Sequence, residues 1–176
     1  MIVVNLFAEP SAGKSTGAAL VFAHLKMKHI NCELIPEYAK ELAWEKRLPP
    51  HPSDYWYITA QQAHRLWRVN GQVDVAIVDS PLPLGLVYGD QTDTDYHDYV
   101  MALFNKYNNL NFFIKRDINK PYRQEGRHVT ESQSKILSEL IENMMKVRKI
   151  EFTKASGTID GYNYILDSIL AKVRKI

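Results

Sequence analysis

The sequence predicts an α/β fold: a parallel sheet of about five strands flanked by helices, in a single domain spanning 1–176. Three observations lead there. Short runs of branched apolar residues alternate with longer segments of helical spacing, the pattern of parallel strands joined by right-handed crossovers. The residues best suited to chemistry fall just after those runs, where open α/β sheets bind their ligands. The 176 residues, 45% hydrophobic and 24% charged, are enough for one well-buried core.

The first strand is predicted at Ile2–Phe7 (IVVNLF), a run apolar enough to be buried on both faces. Ser15 to Lys28 carries Ala18, Ala19, Phe22 and Leu25 at helical spacing. Cys32 to Pro36 (CELIP) reads as a second strand, and Tyr55 to Val69 as a helix rich in aromatic and polar side chains. Val73 to Asp79 (VDVAIVD) is a third strand ending in an acid, and Leu110 to Lys115 (LNFFIK) a fourth. Thr130 and Gln133 have capping-box spacing at the head of a helix running to Val147. Its Ile136, Leu137, Leu140, Ile141 and Met144 are expected to form one core-facing stripe. A fifth strand is expected at Ile150–Thr153, followed by a helix from about Tyr162.

Composition narrows the classes. A net charge of +2 permits a polyanionic partner without requiring one. The single cysteine, Cys32, excludes an intrachain disulfide and a multi-cysteine zinc site, and its apolar context makes it a core residue. No apolar run has the length of a membrane span, and no charged leader with a cleavage site is visible, so a cytoplasmic location is expected. DQTDTDYHD (90–98) lacks the glycine and distal glutamate of a calcium loop and reads as a solvated acidic loop leading into a helix. His24, His29, His51 and His64 lack ligand-spaced partners and receive no role.

The strongest motif is AEPSAGKST, Ala8 to Thr16, which fits a phosphate-binding loop with Ala8 in place of the first glycine. Ala12, Gly13, Lys14, Ser15 and Thr16 are the residues expected to hold a triphosphate. Gly13 lets the backbone turn so that successive N–H groups converge on phosphate oxygens. Lys14 neutralises their charge, the Ser15 hydroxyl can bind Mg²⁺, and the following helix points its positive end at the anion. Ala8 is compatible with this provided its backbone angles suit an L-residue.

Two acids complete the set. Asp79 can hold Mg²⁺, and Glu37, in PEYAK, can accept a proton from an attacking hydroxyl; either acid could instead cap the helix that follows it. KRDINKPYRQEGRH (115–128) carries five positive residues against two negative. It is a solvated basic loop or a lid, about 116–129, whose arginines, Arg116 and Arg127 foremost, stabilise a transferring phosphoryl group, with Arg123 binding the nucleotide. In YWYITAQQAHRLWR, Gln61, Gln62 and Arg65 lie within one helical turn among Tyr55, Trp56, Tyr57 and Trp67. They form a base-recognition surface with Tyr38, or a packed aromatic core with a polar outer face.

AEPSAGKST, PEYAKELAWEKR, VDVAIVDSPL and NFFIKR…KPYRQEGR together resemble a group of phage-encoded P-loop kinases, over nearly the whole chain. The group is related to the ATPase-like domain of ribosylnicotinamide kinase and, more distantly, to deoxynucleoside and nucleoside-monophosphate kinases. It includes 5-hydroxymethyluracil DNA kinases. The resemblance implies a P-loop NTPase/kinase-like fold with ATP and Mg²⁺ at Lys14 and Ser15. It also implies Glu37 or Asp79 as base, a lid containing Arg116, Arg123 and Arg127, and a location in the host cytoplasm. The expected partners are a nucleoside triphosphate donor and, as acceptor, DNA with a modified base or a small nucleoside or nucleotide. The different-class alternative is a nucleotide-dependent ATPase or switch with no acceptor.

Overall fold

The computed structural model describes residues 1–47, 51–119, 121–122 and 129–174. Its sheet has five parallel strands in the order β2-β3-β1-β4-β5: β1 Ile2–Phe7, β2 Cys32–Ile35, β3 Val75–Val78, β4 Asn108–Lys115 and β5 Thr153–Ser156. β1 lies at the centre, and all six of its residues are buried, as a strand covered on both faces requires.

Seven α-helices are described: α1 Lys14–Met27, α2 Tyr38–Trp44, α3 Tyr55–Trp67, α4 Gly85–Tyr88, α5 Thr94–Phe104, α6 Glu131–Val147 and α7 Ile159–Val173. Alternation along β1 divides the core between the two faces. Ile2, Val4 and Leu6 pack with Val21 and Leu25 of α1 and Ile165 and Ile169 of α7. On the other face, Val3 packs with Leu66 of α3, and Phe7 with Phe104 of α5 and Ile141 and Met145 of α6. Cys32 sits in the first of these clusters, where burial pushes its thiol pKa up. No described helix is long and apolar enough to cross a membrane.

The predicted strands and helices are recovered with three kinds of correction. The fifth strand lies at Thr153–Ser156, beyond the expected Ile150–Thr153, because Ile150 closes α6 instead. Its N–H bonds the Met145 carbonyl at 2.8 Å while Lys149 turns into the left-handed region (φ +54°), the arrangement of a Schellman cap. His29 after α1 and Lys46 after α2 terminate their helices the same way, without a glycine to announce it.

The core-facing lines of two helices also differ. In α6, Ile136 and Leu140 are exposed (58% and 49%), and the buried line is Ser134, Ile141 and Met145. In α1, Ala19 is exposed and Phe22 only half-buried, with Gly17, Ala18, Val21 and Leu25 inside. Finally, the acidic loop is shorter than expected. Asp93 caps α5 by accepting from the Tyr96 N–H at 2.9 Å, and Tyr96 is buried. The capping box at the head of α6 is as expected, with Thr130 and Gln133 bonding each other's backbone N–H.

Candidate active site

The carboxyl ends of β1, β2 and β3 open into a cleft of about 510 Å³. One wall is the phosphate loop, through Pro10, Ser11, Gly13, Lys14, Ser15 and Thr16. The left-handed conformations of that loop fall on Ser11 (φ +70°) and Gly13 (φ +94°), not on Ala8, so alanine fits the first position. The Lys14 ammonium donates to the Ala8 carbonyl at 2.9 Å and to the Glu9 carbonyl at 3.3 Å, which holds it across the mouth of the loop.

The facing wall comes from α2, α3 and the segment after β3. It includes Glu37, Lys40, Trp44, Tyr55, Ile58, Gln62, Leu82 and Tyr88. Glu37 stands at the N-cap of α2, where its side chain makes no cap hydrogen bond, and it lines the cleft. The Tyr55 and Tyr88 rings stack at 6.2 Å. Burial first, and then the negative charge of Glu37, holds both phenols well above the usual tyrosine range, so both stay protonated and can donate.

A smaller cavity of about 260 Å³ adjoins the cleft and is lined by Ser15, Glu37, Lys40, Trp44 and Asp79 among others. Asp79 is 5% exposed, and its Oδ1 has no hydrogen-bond partner among the described residues. A buried carboxylate that shares this cavity with Ser15 fits a divalent cation shared with a nucleotide's phosphates. Among the described residues no group of three or more His, Cys, Asp or Glu could hold a metal by itself.

The structure separates the other expected site residues. Gln62 is buried on the cleft wall. Its Oε1 accepts from the Tyr38 N–H at 2.9 Å and its Nε2 donates to the Pro36 carbonyl at 3.2 Å, fastening α2 to α3 just beside Glu37. Gln61 and Tyr38 lie outside the cleft lining. Arg65 is turned away from it: its guanidinium grips Glu41 at 2.8 and 2.6 Å and lies 5.0 Å over the Tyr38 ring. Trp56 belongs to a packed cluster, stacked on Tyr99 and donating to Asp93.

Arg116 pairs with Glu131 at 2.6 Å and lies 5.3 Å over the Tyr122 ring, joining the end of β4 to the start of α6. Arg123 and Arg127, with half of the expected lid, lie outside the described residues.

Three contributors escaped the motif reading. Trp44 and Lys40, one helical turn apart on α2, both line both cavities, and the Trp44 side chain is 73% exposed. An apolar ring in PEYAKELAW reads as core unless the helix containing it is recognised as the rim of a cleft. Glu9, inside the loop motif itself, is buried, and its Oε2 has no hydrogen-bond partner among the described residues.

A family model described as AAA domain (AAA_28) matches residues 5–160. The chain belongs to this AAA-domain family. No curated protein matches it by sequence. Solved structures of similar fold include a deoxyadenosine kinase from M. mycoides with the products dCMP and dCDP bound. It has 18% identity over the whole of both chains and a TM-score of 0.58. NadR protein in complex with NR has 18% identity and a TM-score of 0.69, covering 96% of this chain and 50% of that one. A thymidylate kinase from Ehrlichia chaffeensis has 12% identity and a TM-score of 0.61, covering 98% and 97%. At such identities the likeness is one of fold: the five-stranded parallel P-loop architecture of nucleoside and nucleotide kinases.

Proposed function

We propose that this AAA-family chain is a magnesium-dependent kinase that moves the γ-phosphoryl group of ATP to a hydroxyl of a nucleoside-like acceptor. One observation carries the reading. A single cleft sets the phosphate-loop residues Gly13, Lys14 and Ser15 opposite a carboxylate, Glu37, backed by protonated phenols and a buried amide. An anion site facing a proton acceptor across a cavity suits in-line transfer to a hydroxyl better than it suits simple nucleotide storage.

In this reading bound Mg·ATP supplies the transferable phosphoryl group and neutralises its charge, with Ser15 and Asp79 holding the metal. Lys14 exchanges the Ala8 and Glu9 carbonyls for phosphate oxygens. Glu37 takes the proton of the acceptor hydroxyl, since it lines the main cleft and Asp79 lines only the smaller cavity. Tyr55 and Tyr88 donate hydrogen bonds to the acceptor or to Glu37, and Gln62 keeps Glu37 in place by fastening the start of α2. Trp44 offers a stacking face at the rim, with Lys40 beside it for a phosphate.

The acceptor to test first is the hydroxymethyl group of 5-hydroxymethyluracil in DNA, supported by the motif resemblance. A base in a duplex has to be flipped out to enter such a cleft, which the aromatic lining and rim accommodate. A free nucleoside or nucleoside monophosphate is the second reading, favoured by the nucleoside and nucleotide kinases of similar fold.

Labelled ATP offered with nucleosides, nucleotides, and plain and hydroxymethylated DNA separates the two. Label on the modified DNA alone, with binding that weakens steeply as salt rises, establishes the first. Label on a free nucleoside or nucleotide establishes the second. Slow release of phosphate that no acceptor accelerates would make the chain an ATPase or switch and overturn the kinase reading.

A further inference from the structure

The phosphate loop is held from behind by side chains of the last third of the chain. Tyr162, in α7, donates its hydroxyl to the Gly13 carbonyl at 3.0 Å. Its ring fills the space beside Gly17, where an added Cβ would stand 2.6 Å from it. Ser134, in α6 and 1% exposed, donates to the Pro10 carbonyl at 2.9 Å. The Ala12 carbonyl packs against Gly157, 2.4 Å from where a Cβ would sit.

The Pro10 and Gly13 carbonyls are therefore hydrogen-bonded from α6 and α7, that of Gly13 also accepting from the Gly17 N–H at 2.8 Å, while the Ala12 carbonyl abuts Gly157 at the end of β5. A trans peptide is planar, with its N–H opposite its C=O. Each engaged carbonyl thus turns the next residue's N–H, that of Ser11, Gly13 or Lys14, the other way. Ser11, Gly13 and Lys14 all line the cleft. Convergent backbone N–H groups are what phosphate oxygens bind. The Ser134 bond is placed where it is most needed, because the residue after Pro10 is a serine in the left-handed region, a conformation disfavoured for any residue but glycine.

We infer that Tyr162 and Ser134 are positioning residues for the triphosphate. Without touching it, they hold the peptide planes of the loop so that the N–H groups of Ser11, Gly13 and Lys14 face the anion. This rests on the proposal that the loop binds ATP.

The test uses the full chain with Tyr162→Phe, which keeps the ring beside Gly17, and Ser134→Ala. The Kd for Mg·ATP is measured by calorimetry, beside the melting temperature of the nucleotide-free protein. Each single variant is expected to weaken ATP about 5- to 10-fold, the effect of one lost hydrogen bond. The double variant should weaken it about 30-fold or more, with the KM for the acceptor unmoved. A purely structural role would instead lower the melting temperature and leave the affinity of the folded protein intact.

ATP affinity within two-fold of wild type in folded Tyr162→Phe overturns the inference, and that variant alone decides it if Ser134→Ala does not fold. Absence of ATP binding by the wild-type chain overturns the triphosphate reading itself, and is seen before any variant is compared.

Discussion

The two walls of the cleft are built differently. On the phosphate side the carbonyls of the loop are held: Lys14 bonds two, Tyr162 and Ser134 bond two more, and the loop sits directly on the buried central strand. On the acceptor side, α2 is only seven residues long, carries an exposed tryptophan, and is tied to α3 chiefly by Gln62 and by the Arg65–Glu41 pair. The first wall suits an anion shared by many enzymes and has to be preorganised to bind it. The second suits the part of a substrate that varies, since a thinly packed rim can change without disturbing the core. Under the proposed function, specificity is assigned to α2 and α3, and chemistry to the loop that follows β1.

The sharpest test of that division is Glu37→Gln, which removes the proposed proton acceptor but keeps the shape of the wall. Turnover should fall about 10²- to 10⁴-fold with ATP affinity unchanged. If Asp79→Asn rather than Glu37→Gln shows that pattern in single-turnover kinetics, the roles of the two acids are reversed. Lys14→Ala should cost about 10²- to 10³-fold in turnover and also weaken ATP, because it strips a charge from the donor side. A variant that lost only acceptor affinity would break the assignment of the walls.

Trp44→Ala should raise the KM of a base-containing acceptor about 10-fold, in line with the stacking energy of one base, while the KM for ATP stays put. Trp44→Phe should recover part of that loss. Steady-state kinetics with both substrates varied reads this directly, and equal effects on both KM values would remove Trp44 from the acceptor side.

The smallest effects concern stability. Ile141→Ala, in the buried line of α6, should destabilise by about 2–5 kcal/mol in chemical denaturation. Leu140→Ser, on the exposed side, should stay within about 0.5 kcal/mol. A large loss at Leu140 would mean that its face is covered in solution.

Features that depend on neighbours along the chain were legible in the sequence. The strand runs at Ile2–Phe7 and in VDVAIVD, the Thr130–Gln133 capping box and the glycine and lysine of the phosphate loop are local signals, and the structure keeps them. The placement of Glu37 and Asp79 at strand ends was equally legible, because parallel topology brings every such end to one edge of the sheet.

Tertiary structure alone decided which polar side chains reach the cleft and which are spent elsewhere. Gln61, Gln62 and Arg65 share one helical turn. Yet only Gln62 reaches the cleft wall, while Arg65 is diverted to Glu41, because the orientation of α3 is set by packing against β1, β3 and α2. The stripe of α6 rotated for the same kind of reason, its phase fixed by the sheet face it covers. The contacts behind the phosphate loop join residues 149 and 124 positions apart, Tyr162 to Gly13 and Ser134 to Pro10. No local periodicity encodes such a pairing. It exists only once the sheet has brought α6 and α7 to the loop.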